Sequence, residues 1–326
     1  MNQLTGRLTV IAFCLVAVIF ADAFAQSYPT KPLRWIVAFP AGGGSDLYAR
    51  TIAQKLVASM GQQVIVENRP GAAGIIAAET VAKSAPDGYT IFACDIGTLV
   101  LNPLLYSKLP YDPAKDFQPV TLYVKNPLVF AVHPSVPANN IREFIAYAKA
   151  NPGKINYASV GAGTIFHLAM EIFKQRTGTQ LVHVPYKGSA PAVQDLVSGE
   201  VTVMLIDYAT GGSFIKAGKL RALAVSTKER VEALPDIPSL HEAGVPDFDA
   251  YAWLGAAVPA GTPKNIVSLL NREMVKAMNS PDVKKRFIDS GVLPLASSTE
   301  EFEQLVKSDR EKWSAIVKAL GLKLEL

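Results

Sequence analysis

Two glycine-rich turns carry most of the chemistry this sequence offers. The first, Ala41-Gly42-Gly43-Gly44-Ser45-Asp46, follows an apolar run from Leu33 to Phe39 and precedes residues at helical spacing. The second, Val160-Gly161-Ala162-Gly163-Thr164, follows an apparent strand from Ile155 to Ser159 and also leads into a helix. Glycines in such a turn let the backbone come close to a ligand, and the unpaired N–H groups of the helix start point outward. One helix end is worth about 0.3–1 kcal/mol to an anion. Two such turns facing each other over a cleft would clamp a carboxylate from both sides. Ser45 and Thr164 either add hydroxyl donors or act as N-caps, and Asp46 reads as a capping acid.

Other chemistries find little support. The first turn lacks the Gly-Lys-Ser/Thr ending of a phosphate-binding loop, and Phe166 stands where a dinucleotide fingerprint needs its third glycine. There is no Gly-x-Ser-x-Gly elbow, and His133, His167, His183 and His241 are dispersed, so no catalytic residues are assigned. His167 and Glu171 are four apart on a helix but lack a third ligand at recognisable spacing, so neither a metal nor a cofactor is expected. His183, inside a strand, reads as a structural histidine. Asp207 follows the strand Val201–Ile206, at the carboxyl end where open parallel sheets bind ligands. It either meets a ligand amine or hydroxyl or caps a turn. Tyr186 and Lys187 hold a similar position after Leu181–Val184, Lys187 reading better as a solvated charge.

The elements that must position these residues alternate. Leu33–Phe39, Val64–Val66 and Tyr89–Cys94 read as strands. Helices lie between them, one with Ala49, Ile52, Ala53, Leu56 and Met60 on a single face and ended by Gly61. This is the grammar of a parallel α/β sheet. It resumes after Phe117–Val124 and Leu128–Val132, two β-rich segments separated by Lys125-Asn126-Pro127, a candidate crossing between domains. Strands at Ile155–Ser159, Leu181–Val184, Val201–Ile206 and Leu220–Val225 follow. Beyond Tyr251–Val258, helices bearing Ile266–Met278 and Phe302–Leu320 need a sheet to cover, so the chain is expected to return to its first domain.

The N-terminus sets the compartment. Arg7, an uncharged apolar run from Leu8 to Ala21 and the small-x-small Ala23-Phe24-Ala25 make a cleavable signal peptide over residues 1–25, with the mature chain starting at Gln26 and destined for the periplasm. Phe13 before Cys14 makes a poor lipobox. Cys94 then stands alone, so stability must come from the core. With 326 residues, 49% of them hydrophobic, that core can be large. A net charge of +4, with Lys and Arg scattered, argues against nucleic acid as a partner.

Several longer stretches resemble one family. Tyr28 through Asp46, Glu67-Asn-Arg-Pro-Gly-Ala-Ala-Gly74, Pro86-Asp-Gly-Tyr89 and Asn151-Pro-Gly-Lys154 are similar to the Bug proteins, substrate-binding subunits of tripartite tricarboxylate transporters. So are Gly161 through Leu168, His183-Val-Pro-Tyr-Lys-Gly188, Leu220 through Val225 and Pro259-Ala-Gly-Thr-Pro263. The resemblance covers essentially the whole mature chain. It implies an α/β periplasmic-binding-protein (Venus flytrap) fold with two crossings, domain 1 being 26–126 with 251–326 and domain 2 being 127–250.

The resemblance also implies a ligand carboxylate held by Ala41 through Asp46 and by the loop Ser159 through Thr164. The expected ligand-binding set is therefore Ala41, Gly42, Gly43, Gly44, Ser45, Asp46, Thr98, Ser159, Gly161, Gly163, Thr164, Tyr186 and Asp207. The partners it implies are a small carboxylate and the two membrane subunits of the transporter. A membrane sensor kinase reading the closed form is the rival, and an exported α/β hydrolase a third reading. The stretch Cys94-Asp95-Ile96-Gly97-Thr98 departs from relatives, which more often carry small hydroxylated residues there. An acid at Asp95 would disfavour a second ligand carboxylate, so a polycarboxylate is not assumed.

Overall fold

The computed structural model describes residues 28–325; the expected signal peptide lies outside them. Strand β1 (Leu33–Val37) is buried on both faces except at Arg34, as befits a central parallel strand. It pairs in parallel with β2 (Val64–Asn68) and with β3 (Thr90–Asp95). Helix α1 (Gly44–Met60) joins β1 to β2, buries Ala49, Ile52, Ala53 and Leu56, and stops at Gly61, whose φ of 69° is the left-handed conformation glycine allows. Helix α2 (Ile75–Ala82) joins β2 to β3. After β3 come a π-turn at Gly97–Leu101 and the short helices α3 (Asn102–Leu105) and α4 (Pro113–Asp116).

The second lobe repeats the pattern. Helix α5 (Ile141–Ala150) is capped by the Asn140 side chain, and β5 (Ile155–Ser159) leads into α6 (Ile165–Thr177), which Gly178 ends. Then follow β6 (Leu181–Pro185), α7 (Ser189–Ser198), β7 (Val203–Asp207), α8 (Tyr208–Lys216) and β8 (Arg221–Val225). Strand β5 pairs in parallel with β6 and β7. Ring contacts among Phe130, Phe144 and Phe173, with centroids 4.9–6.1 Å apart, centre this core. Each such pair adds roughly 0.5–1.5 kcal/mol beyond area burial.

Two long strands join the lobes. The 16-residue β4 (Phe117–Val132) is continuous through Lys125-Asn126-Pro127, where the sequence suggested two strands and a break. Its first part pairs with β9 (Tyr251–Pro259) up to Pro127↔Tyr251, and its second pairs with β7 from Leu128↔Asp207 onward. Pro127 thus falls where β4 changes partners, a place where its missing N–H costs the ladder little. The second crossing is pinned beside the first. Ser226 Oγ accepts from Leu128 N at 3.0 Å and donates to Ala250 O at 2.5 Å. Strand β9 lies between β3 and β4, antiparallel to both.

The remaining chain covers this sheet. Helix α9 (Lys264–Met278) lies on α1 and β4. Next comes α10 (Pro281–Asp289), a helix that the sequence reading did not resolve, and then the short β10 (Leu293–Pro294). Helix α11 (Thr299–Leu320) starts with a complete capping box at Ser298 and Glu301 and seats Phe302 and Trp313 in the core. Order along the sheet is β2-β1-β3-β9-β4-β7-β5-β6, with β8 and β10 also on β4. Among the described residues no helix is long and apolar enough to cross a membrane.

Candidate functional site

The carboxyl ends of β1, β3, β5 and β7 converge on a cavity of about 50 Å³ between the lobes. From the first lobe come Gly43, Gly44 and Ser45 at the start of α1, with Asp95 at the end of β3. Facing them are Thr164, Ile165 and Phe166 at the start of α6, and Asp207 at the end of β7. Asn126 and Trp253, from the two crossing strands, close its floor. The first-turn N–H groups of two long helices therefore open toward one small space, the arrangement that favours an anion.

The lobes meet closely here. A Cβ on Gly44 would lie 3.2 Å from Asp207 Oδ1 and 3.2 Å from the Tyr48 ring. Gly43 has room, its nearest neighbour being Pro40 O at 3.7 Å. The Ser45 hydroxyl is buried without a hydrogen-bond partner, as is Asn126 Oδ1. Buried polar atoms are almost always bonded, and these two, on different elements, both belong to residues that line this cavity.

Several of the expected residues build the walls instead of lining them. Helix α1 begins at Gly44, with Gly43 at the N-cap position, so Asp46 caps no helix. Its carboxylate ties the turn together, accepting from Gly42 N at 3.1 Å, from Arg50 Nε at 2.9 Å and from Asn68 Nδ2 at 3.0 Å. Burial works against its charge, but these hydrogen bonds outweigh burial and hold its pKa below the usual carboxylate range. Ala41 is exposed beside it. Thr98 lies behind Asp95, giving its backbone N–H at 2.9 Å and its hydroxyl at 2.7 Å to Asp95 Oδ1. Burial pushes the Asp95 pKa up against these bonds.

The second glycine turn rests on a histidine pair. Ser159 Oγ and His183 Nε2 are 2.6 Å apart, and the His183 ring stacks on His167 at 4.0 Å. His167 Nδ1 accepts from Gly163 N at 3.2 Å, so that nitrogen carries no proton and the ring is neutral. Burial lowers the pKa of His167 and takes that of His183 down to about 4. Glu171 stands 3.8 Å from His167 but is occupied by Lys174 and Tyr157. Among the described residues no group of three metal-binding side chains is assembled.

Gly163 is glycine for backbone reasons. Its φ is +80°, and a Cβ there would meet Leu324 at 2.9 Å and Leu105 at 3.2 Å. Thr164 occupies the N-cap position of α6, its hydroxyl turned back to Gly161 O at 2.7 Å. Gly161 and Tyr186 border a neighbouring cavity of about 210 Å³, shared with Gly71–Gly74 and Lys187. Phe39 and Val160 touch both cavities and form the partition. Asp207 does cap α8, accepting from Thr210 N at 2.9 Å, and takes a bond from Ser189 Oγ at 2.5 Å, yet still reaches the cavity.

Asp95, Asn126, Phe166, Ser189 and Trp253 line the cavity although none belongs to the ligand-binding set expected from the sequence. In the sequence Asp95 stands out as an odd acid, Asn126 lies inside the crossing and Phe166 breaks the dinucleotide fingerprint, whereas nothing local singles out Ser189 or Trp253. A wider cavity of about 430 Å³ lies beside the crossings, lined by Lys125, Arg230, Asp249 and Tyr251. None of its described lining residues comes from the end of a parallel strand.

Residues 48–322 match the model of the family described as "Tripartite tricarboxylate transporter family receptor". The chain belongs to this receptor family. The Rhodopseudomonas palustris protein Rpa4515, solved with adipate, is 34% identical, covers 92% of this chain and all of its own, and superposes with a TM-score of 0.89. The periplasmic binding protein BugD is 34% identical over 92% of this chain and all of its own, with a TM-score of 0.87. MatC from the same R. palustris, solved with malate, is 32% identical over 89% of this chain and all of its own, at 0.85. The receptor's fold is thus the Venus flytrap of periplasmic solute-binding proteins, as its motifs led us to expect.

Proposed function

We propose that this receptor captures one small carboxylate between two lobes, 26–126 with 251–326 and 127–250, and delivers it to the membrane subunits of a tripartite tricarboxylate-type transporter. Its work is non-catalytic and periplasmic, after removal of residues 1–25. One observation carries the reading: the N-termini of α1 and α6 open from opposite lobes onto one cavity, where the buried Ser45 hydroxyl has no partner among the described residues. Gly43, Gly44, Ser45 and Thr164 bind the carboxylate; Asp207 faces the remainder of the ligand. Ala41, Gly42, Asp46, Thr98, Ser159 and Gly163 hold the two turns in shape, while Gly161 and Tyr186 border the adjoining cavity. Capture requires contacts that exist only when the lobes are together, because a ligand shifts the equilibrium solely by binding one state better.

Calorimetric titration of the purified protein with mono- and dicarboxylates, malate and adipate included, and with their amides tests this. One-to-one binding of at least one carboxylate, with no heat from its amide, is the expected result. Equal binding of acid and amide, or no carboxylate binding at all, would overturn it. Loss of uptake of that carboxylate on deleting the receptor gene tests the delivery step.

A further inference from the structure

Asp95 and Asp207 reach the cavity from opposite lobes, and neither forms an ion pair among the described residues. Asp95 Oδ1 accepts from Thr98 N and Thr98 Oγ1. Asp207 accepts from Thr210 N, Thr210 Oγ1 and Ser189 Oγ. All these donors are neutral. Among the described residues that line the cavity, none is Lys, Arg or His. Between the acids lies Asn126, 4% exposed, with an oxygen that no protein group satisfies. The cavity therefore combines backbone N–H groups of α1 and α6 with acceptors from β3, β4 and β7, Asp207 Oδ1 coming within 3.2 Å of where a Cβ on Gly44 would stand.

A dicarboxylate fits this poorly. Its second carboxylate would leave water to sit against two protein carboxyl groups with no cation to offset them. Burial raises the Asp95 pKa, and an ammonium group beside it would favour the ionised form and make these contacts attractive. It would also supply donors for Asn126 Oδ1 and for lone pairs left over on the acids, since a carboxylate accepts at about four positions.

We propose that the ligand is a small zwitterion, an amino acid or similar amine-bearing carboxylate, whose ammonium group is held by Asp95, Asp207 and Asn126 while its carboxylate lies on the N-termini of α1 and α6. The proposal rests on the carboxylate reading above and adds the chemistry of the ligand's other end. A cavity of about 50 Å³ suits a short ligand, having room for about four water-sized groups. Phe166 and Trp253 supply apolar wall for a small side chain.

Calorimetry with three matched sets tests it: glycine, alanine and serine; glycolate, lactate and glycerate; malonate, succinate and malate. At least one amino acid should bind tenfold or more tighter than its matched hydroxy acid and than each dicarboxylate. Asp95→Asn and Asp207→Asn, which keep a cap oxygen but remove the acid, should each erase that preference. Urea midpoints check that both variants fold, and if either does not, the wild-type ranking decides alone. Hydroxy acids or dicarboxylates binding as tightly as every amino acid would overturn the zwitterion and leave the carboxylate receptor standing. Absence of binding by every carboxylate, including those of the preceding test, would overturn both.

Discussion

Replacing Ser45 with alanine should move stability and affinity in opposite directions. Its hydroxyl is buried at the cavity wall and has no hydrogen-bond partner among the described residues. Leaving such a group unsatisfied costs the folded protein about 1–3 kcal/mol. Alanine removes the oxygen and leaves a void of one atom, so the ligand-free variant should be more stable by about 1 kcal/mol, or roughly 2 °C in melting midpoint. With ligand present the sign changes. A hydrogen bond to a carboxylate contributes about 1.5–3 kcal/mol, so affinity should fall about ten- to a hundredfold. Urea unfolding without ligand and calorimetry with a bound carboxylate give the two numbers. A Ser45→Ala protein that is less stable than the wild type, or that binds the carboxylate equally well, would refute the idea that this hydroxyl is kept for a ligand.

The other predictions concern the frame of the site. His183 has its folded pKa lowered to about 4, against about 6.5 in an unfolded chain. Between those values only the unfolded chain takes up a proton, so the stabilisation present above pH 6.5 is lost as pH falls toward 4, by an order of 2 kcal/mol. His183→Gln should lose less stability between pH 7 and pH 4.5 than the wild type; parallel losses in urea unfolding would remove His183 as the cause. In β9 a Cβ on Gly255 would overlap the Phe302 ring of α11, so Gly255→Ala should cost about 1–3 kcal/mol. Phe302→Leu added to it should recover part of that loss, and a double variant no more stable than Gly255→Ala would show that the ring is not the obstacle.

Much of the fold was legible because it is written in local patterns. Apolar runs of strand length alternating with helical faces and ended by Gly61 and Gly178 specify a parallel α/β sheet, whatever lies beside it. Lys125-Asn126-Pro127 misleads because turn-like residues there sit inside one strand. Proline forbids a ladder bond, but β4 needs none at the point where it passes from β9 to β7, and no local pattern records a change of partner.

For the site, the sequence by itself determined the two glycine turns, since a strand followed by glycines and a helix start puts free N–H groups at a sheet's carboxyl edge. It could not say which turn residues face inward. Gly163 looks toward Leu324 and Ser159 toward His183, because the C-terminal segment and the neighbouring strand occupy those directions. The rest of the cavity lining belongs to tertiary structure alone. Asp95, Asn126, Asp207 and Trp253 lie far apart along the chain and meet only because β9 inserts between β3 and β4 while β7 joins β4 beyond the crossing. The grip on an anion is a property of backbone ends and can be read locally. The sign of charge that greets the rest of the ligand is set by which distant strands end side by side.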